Sequence, residues 1–171
     1  MSKMSVRDLT LAAVLASVYA VLTVALPIPQ YSGIQLRVAE AMTVLPFLFP
    51  AATPGLIVGC FIANLFSPYP MDVIFGTAAT AAACLLTQHM PHKWLAPLPP
   101  VLCNAIIVGG GIAWTGVGFG PGFWQAYAIN AATVGVGELI ACYVLGLLLL
   151  AVLPKITALH PFMQEKRLRA V

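Results

Sequence analysis

Charged side chains are scarce in this chain of 171 residues, because Asp, Glu, Lys and Arg make up only 8% of it while hydrophobic residues make up 61%. Soluble domains carry about 25% charged residues, so the composition excludes a soluble globular protein and predicts an integral membrane protein. The formal net charge of +3 comes mainly from the two tails, which favours anchoring at the cytoplasmic surface over nucleic-acid binding. The cations of the tails are Lys3, Arg7, Lys155, Lys166, Arg167 and Arg169.

Several catalytic and metal-binding motifs are also missing. No G-x-x-x-x-G-K-S/T loop occurs, so any ATP must be hydrolysed by a partner. The pair His89 and His92 has no third ligand and no H-E-x-x-H motif, so we expect solvated loop histidines and neither a metal nor a cofactor. No serine stands in a nucleophile context beside a histidine, which counts against a protease. The cysteines lack paired spacing and are predicted to pack in the interior: Cys60, Cys84, Cys103 and Cys142.

Long apolar runs separated by proline and glycine predict an all-α membrane protein with six transmembrane helices in a single domain, residues 1–171. Each crossing needs roughly 20 apolar residues, so the chain has room for about six. The run after Arg7 is long for a signal peptide and is expected to remain as the first helix. The predicted helices cover about 8–26, 36–49, 54–66, 71–88, 101–115 and 123–153.

The positions of Lys and Arg predict the orientation of this bundle. Six helices place both termini on one side, and the two tails and the loop around Lys93 carry positive charge. The loops around Tyr31, Tyr69 and Phe119 contain no Lys or Arg, so we expect them to face outward and both termini to be cytoplasmic.

Charge inside a membrane span usually has a function, and the tetrad Arg37-Val38-Ala39-Glu40 places two charges about one turn apart at the start of the second helix. At about 1.5 Å per residue, the starts of the second, fourth and sixth helices and the end of the third reach one outer layer. This layer holds Arg37, Glu40, Asn64, Asp72, Gln125 and Asn130, with Asn104 and Glu138 nearer the membrane centre. The pattern predicts a polar pocket that opens outward.

Each of these polar residues also has a structural interpretation. Arg37 and Glu40 are three residues apart and are expected to pair with each other, with Glu40 better placed to reach a ligand. Asp72 can cap its helix and Asn64 can bridge helices, and for both we leave ligand contact open. Glu138 must face a cavity or a polar partner, because an unpaired carboxylate near mid-bilayer would cost several kcal/mol.

Aromatic residues cluster in or beside the three outer loops, where most of them suit the membrane interface. We expect one or two of them, such as Tyr31 and Trp124, to stack on a flat ring. Carboxylates, amides and aromatic rings together suit a planar ligand rich in hydrogen-bond donors, or a cation.

Small residues recur every four positions on the first helix, at Ala12, Ala16 and Ala20. This spacing lets another helix approach closely. The second helix could belong to a partner subunit or to the same chain, and the stripe leaves both possibilities open.

These residues resemble a known family. The alanine stripe on the first of six helices, without an ATPase motif, resembles the substrate-binding S component of energy-coupling factor transporters. The QueT family of queuosine-precursor transporters is similar over residues 9 to about 150. Three motifs carry this resemblance: Gln35-Leu36-Arg37-Val38-Ala39-Glu40-Ala41 followed by Val44-Leu45-Pro46, then Gly59-Cys60-x-x-Ala63-Asn64, and Asp72-Val73-Ile74-Phe75-Gly76.

The resemblance implies a 7-deazaguanine ligand, such as preQ1, preQ0 or queuine. One carboxylate, from Glu40 or Glu138, would accept the neighbouring N–H groups of its guanine-like edge, and a second would hold the ammonium of preQ1. The ring carbonyl would accept from Asn64, Asn130 or Arg37. The family mechanism implies uptake across a prokaryotic plasma membrane, with docking through the first helix onto a transmembrane coupling subunit driven by two ATPase subunits.

Other functions remain open from the residues alone. An S component for another small vitamin would share the same features. A self-sufficient secondary transporter could use Glu40 and Glu138, although the paired repeats common in such carriers are not evident. A small intramembrane enzyme would have only Glu40, Asp72 and Glu138 for its chemistry and lacks a catalytic motif.

Overall fold

The computed structural model describes residues 4–26 and 37–168, and within these ranges the chain is helical and contains no strand. The all-helical prediction is therefore confirmed for this part of the chain. Its main helices are α1 (Val6–Ala25), α2 (Val38–Phe47), α3 (Ala52–Asn64), α4 (Asp72–Thr87), α5 (98–117) and α6 (123–152). Shorter helical turns cover Lys93–Leu95, Leu153–Lys155, Thr157–Phe162 and Glu165–Leu168.

Three of the main helices depart from regular α geometry. α2 is a 3₁₀ helix that contains Pro46, and it is shorter than the predicted 36–49. α5 and α6 each contain a π-helical segment, at Asn104–Val108 and Ile140–Gly146. α5 also begins earlier than the predicted 101, because its prolines occupy the first helical turn, where a missing backbone N–H costs nothing.

Three helical stretches are long and apolar enough to cross a membrane: Val6–Ala25, Lys93–Val117 and Phe123–Lys155. α2, α3 and α4 are apolar but shorter, with ten to 16 residues each. The three long stretches make this a membrane protein, and six complete crossings stay a prediction.

α1 packs closely against α3 through small residues. Ala12 and Ala16 are 6% and 7% exposed, and a Cβ placed on Gly55 or Gly59 would lie within 3 Å of their backbone atoms. Glycine is therefore required at both positions for the two helices to approach. The sequence left open whether this stripe packs against a partner subunit or within the chain. Ala12 and Ala16 pack against α3 of the same chain.

The two ends of the described chain lie together, at a surface that we call the tail end. Met4 and Gln164 line one pocket there, and the backbone N–H of Gln164 donates to the backbone carbonyl of Leu48 at 3.1 Å. The Arg167 guanidinium donates to the Gln88 carbonyl just past α4 at 3.2 Å and lies 4.4 Å from the centre of the Phe47 ring. A cation at a helix C-terminus suits the carbonyls left without a partner there.

The contact between α1 and α3 predicts that a single methyl group is enough to destabilise the bundle. In Gly55→Ala the new Cβ would collide with the Ala12 carbonyl oxygen, so the helices must move apart. We expect the free energy of unfolding to fall by about 1–3 kcal/mol, measured by unfolding in detergent. Gly122→Ala is the control, since nothing lies within 4 Å of its Cβ position. Equal stability of the two variants would show that the helices are not in close contact.

Candidate functional site

Arg37 joins the start of α2 to the facing ends of α3 and α4. Its guanidinium donates to Asn64 Oδ1 at 3.3 Å and to Asp72 Oδ2 at 3.4 Å. The Ser67 hydroxyl also donates to Asp72 Oδ2, at 2.6 Å. Arg37, Asn64 and Asp72 are all at most 5% exposed, so this is a buried ion pair supported by polar neighbours.

Glu40 lies one turn further into the bundle and is held by α1. The hydroxyl of Tyr19 donates a short hydrogen bond to Glu40 Oε1, and both residues are almost completely buried. Arg37 and Glu40 still interact through their charges, and each also makes a hydrogen bond to another helix, Arg37 to Asp72 and Glu40 to Tyr19.

The middle of the bundle adds Asn104 from α5 and Glu138 from α6, which are 3% and 4% exposed. The side chain of Asn104 interacts with the carboxyl groups of both Glu40 and Glu138. The Cys142 thiol lies 3.4 Å from the Glu40 carbonyl oxygen and 3.5 Å from Glu138 Oε2, so it joins α6 to α2. We call Tyr19, Arg37, Glu40, Asn64, Asp72, Asn104 and Glu138 the polar cluster.

Two atoms of the polar cluster are buried without a hydrogen-bond partner among the described residues, namely Glu40 Oε2 and Asn104 Nδ2. One is an acceptor and the other a donor. A buried polar atom left unpaired costs roughly 1–3 kcal/mol, so such atoms usually have a ligand or water to bind. Their presence side by side marks the centre of the cluster as a candidate binding site.

The π-helical segments lie where α5 and α6 meet the polar cluster. One begins at Asn104, and the other begins two residues after Glu138 and contains Cys142. Single π-helical turns inside α-helices occur frequently at functional sites, because they redirect side chains that regular helix geometry would point elsewhere. Both irregularities therefore support the same location for the site.

The structure brings together most of the sequence-predicted site residues. Arg37, Glu40, Asn64, Asp72 and Glu138 all belong to the polar cluster. Their spacing in the sequence gave no direct sign of contact, since they come from four different helices.

Two predicted residues lie apart from the polar cluster, and a third is outside the described residues. The Asn130 amide donates to the Ala126 carbonyl of its own helix at 2.8 Å. Trp124 is 74% exposed and contacts the rings of Phe123 and Tyr127 instead. Tyr31 falls in the segment between α1 and α2 that the structure does not describe.

Trp124 belongs to a row of aromatic rings beside a second pocket, which we call the aromatic pocket. This pocket has a volume of about 410 Å³ and an entirely apolar or glycine lining: Phe75, Ile107, Gly110, Gly111, Trp114, Phe119 and Phe123. It lies next to the 118–122 loop and contains none of the residues of the polar cluster.

Sequence reasoning missed Tyr19 and the polar role of two cysteines. Tyr19 follows Ala16 by three residues and precedes Thr23 by four, so helical spacing alone places it on the face of α1 that packs inward. Cys60 accepts hydrogen bonds from Asn64 Nδ2 and Thr80 Oγ1, both at 3.2 Å. Cys60 and Cys142 each lie four residues from a polar cluster residue, a spacing that could have revealed the contact.

The described residues contain no group of three His, Cys, Asp or Glu side chains placed to hold a metal ion. The chemistry that the polar cluster offers is therefore hydrogen bonding and charge, from carboxyl, amide, guanidinium and phenol groups. These groups suit recognition of a polar molecule.

Fold and site together define a helical membrane protein with a buried polar binding site. A family model described as QueT transporter matches residues 9–155, and the chain belongs to this transporter family. The search of curated proteins returned no relative, and the search of solved structures returned no similar fold.

The buried ion pair predicts a large loss of stability when its carboxylate is neutralised. Asp72→Asn leaves the 4% exposed Arg37 without that charge, so we expect a loss of about 3 kcal/mol in unfolding free energy, measured in detergent. Glu165→Gln, at an exposed position of the tail, serves as the matched control and should have little effect. Equal effects of the two substitutions would contradict the buried pair.

Proposed function

We propose that this chain is the substrate-binding subunit of an importer and captures a 7-deazaguanine, such as preQ1, preQ0 or queuine, from outside the cell. Membership of a transporter family supports transport of a small molecule. The observation that carries the proposal is the pair of buried, unpartnered atoms, Glu40 Oε2 and Asn104 Nδ2, within a polar cluster of an apolar bundle. The QueT assignment and the chemistry of the cluster support this class of ligand.

A 7-deazaguanine matches the hydrogen-bonding groups that the cluster presents. Its guanine-like edge carries neighbouring N–H donors, which the carboxylate of Glu40 would accept. Glu138 would supply a second carboxylate, and Arg37, Asn64 and Asp72 would shape the adjoining wall through their mutual contacts. A donor-rich ring suits a site that contains three buried carboxyl groups and one buried guanidinium.

Aromatic residues and Asn130 would act outside this buried centre. Trp124 is exposed beside the aromatic pocket, and we propose that it and Tyr31 contact the ligand on its way to the cluster. Asn130 is half-buried on α6, and it would contact the ligand through the N–H that does not bond to the Ala126 carbonyl.

Energy for uptake would come from partner subunits, because the chain has no P-loop motif for ATP. We propose a transmembrane coupling subunit and two ATPases, with α1 as the docking helix. Ala12 and Ala16 would act in docking by seating α1 on α3, whereas Ala20 is half-buried and can contribute directly.

The proposed orientation places the tail end in the cytoplasm. Arg7, Lys93, Lys155, Lys166 and Arg167 are in the segments at that end, whereas the described segments at the opposite end carry only the buried Arg37. Positive residues favour the cytoplasmic side of a membrane. The polar cluster would then receive its ligand from the outer side.

A binding titration on the purified protein tests this proposal. We expect preQ1, preQ0, queuine or 7-deazaguanine to bind, and thiamine and riboflavin to bind weakly or not at all. Glu40→Gln should weaken binding by at least about tenfold, because it removes a charged acceptor from a buried site. Glu165→Gln is the matched control and should bind as the unsubstituted protein does.

The titration can also contradict the proposal. Failure of every deazapurine to bind would exclude the ligand class, and unchanged affinity in Glu40→Gln would remove the polar cluster from the binding site. Transport by the isolated chain in vesicles without partner subunits would instead indicate a secondary transporter.

A further inference from the structure

The two asparagine amides that the sequence offers for a ligand carbonyl are already partly used in the structure. Asn64 accepts from Arg37 through Oδ1 and donates through Nδ2 to Cys60. The Asn130 amide donates to a backbone carbonyl of its own helix. Each of these amides therefore has one N–H in an existing hydrogen bond and only one left for a ligand.

Asn104 differs because its Nδ2, which lies near the carboxyl groups of Glu40 and Glu138, makes no well-formed hydrogen bond to any described residue. Its Nδ2 is buried and has no hydrogen-bond partner, although the residue is only 3% exposed. It stands at the first position of the π-helical segment of α5, where helix geometry is irregular. A buried amide with an open donor is costly for the protein unless something binds to it.

Glu40 presents the complementary atom next to Asn104. Tyr19 already donates to Oε1 and fixes the carboxyl group, which leaves Oε2 as the open acceptor. The Glu40 carboxyl group and the Asn104 side chain are close enough to interact. The site therefore offers one acceptor and one donor to the same small molecule.

We infer that Glu40 Oε2 and Asn104 Nδ2 together bind the cyclic amide edge of the ligand, with Asn104 as a specificity-determining residue. Glu40 accepts the ring N–H, and Asn104 donates to the ring carbonyl beside it. This inference rests on the proposed function and adds the residue that distinguishes a carbonyl from an amino group at that ring position.

Glu40 Oε2 and Asn104 Nδ2 discriminate between ligands because a ring edge with an amino group in place of the carbonyl matches neither atom. An analogue with an amino group in place of the carbonyl has a lone pair on the neighbouring ring nitrogen, which would face the Glu40 carboxylate. Its amino group would face the donor of Asn104. Two unsatisfied buried contacts exclude a ligand far more strongly than a small change in size does.

Binding of 7-deazaguanine is compared with binding of its 6-amino counterpart, 7-deaza-2,6-diaminopurine, to the full-length protein in detergent. We expect the unsubstituted protein to prefer 7-deazaguanine by about 100-fold or more. Asn104→Leu, which is nearly the same size, should lower this preference about tenfold because one of the two mismatches disappears. Gln88→Leu, an amide-to-leucine change at the tail end and away from the polar cluster, is the matched control and should retain the full preference.

The preference ratio separates specificity from a general structural defect, which would weaken both ligands alike. If Asn104→Leu does not fold, Asn104→Ala is measured in the same way. An unchanged ratio in the folded variant overturns the role of Asn104, while binding of 7-deazaguanine would still support the proposed function. Failure of the unsubstituted protein to bind either compound overturns both.

Discussion

The carboxyl group of Glu40 lies inside an apolar helical bundle, where a charge without partners would cost several kcal/mol. The Tyr19 hydroxyl meets one of its oxygens, and this contact requires α1 to lie close to α2 and α3. Gly55 and Gly59 allow that approach, because a side chain on either would collide with the backbone of α1. The close packing of α1, α2 and α3 therefore also holds the Glu40 carboxyl group in its position at the site.

Arg37 sets a second condition on the same region. A buried guanidinium needs acceptors, and it finds them at the end of α3 and the start of α4. The residues of the polar cluster are at most 5% exposed. At the proposed site a ligand would reach Glu40 and Asn104 only if the elements around them moved, so the proposal implies that binding is coupled to a conformational change.

Composition and apolar runs were sufficient to predict a helical membrane protein, since only that class carries so little charge in such long runs. The contact of Glu138 with polar partners also followed from the cost of charge in an apolar setting, whereas Glu40 and Asp72 were expected to line a pocket that opens outward and are instead buried. The particular partners of these residues did not follow. The rotation of each helix decides them, and in a chain so uniformly apolar the hydrophobic pattern leaves that rotation undetermined. The 3₁₀ geometry of α2 and the two π-helical segments shift it further, and single-sequence periodicity does not register them.

The most direct measurement of the central claim is an experimental structure of the protein with 7-deazaguanine bound. The polar cluster as the binding site predicts the ring within about 3.2 Å of both Glu40 Oε2 and Asn104 Nδ2, with the Tyr19 contact to Glu40 retained. A ring stacked in the aromatic pocket between Trp114 and Phe119, with Glu40 and Asn104 untouched, would contradict it.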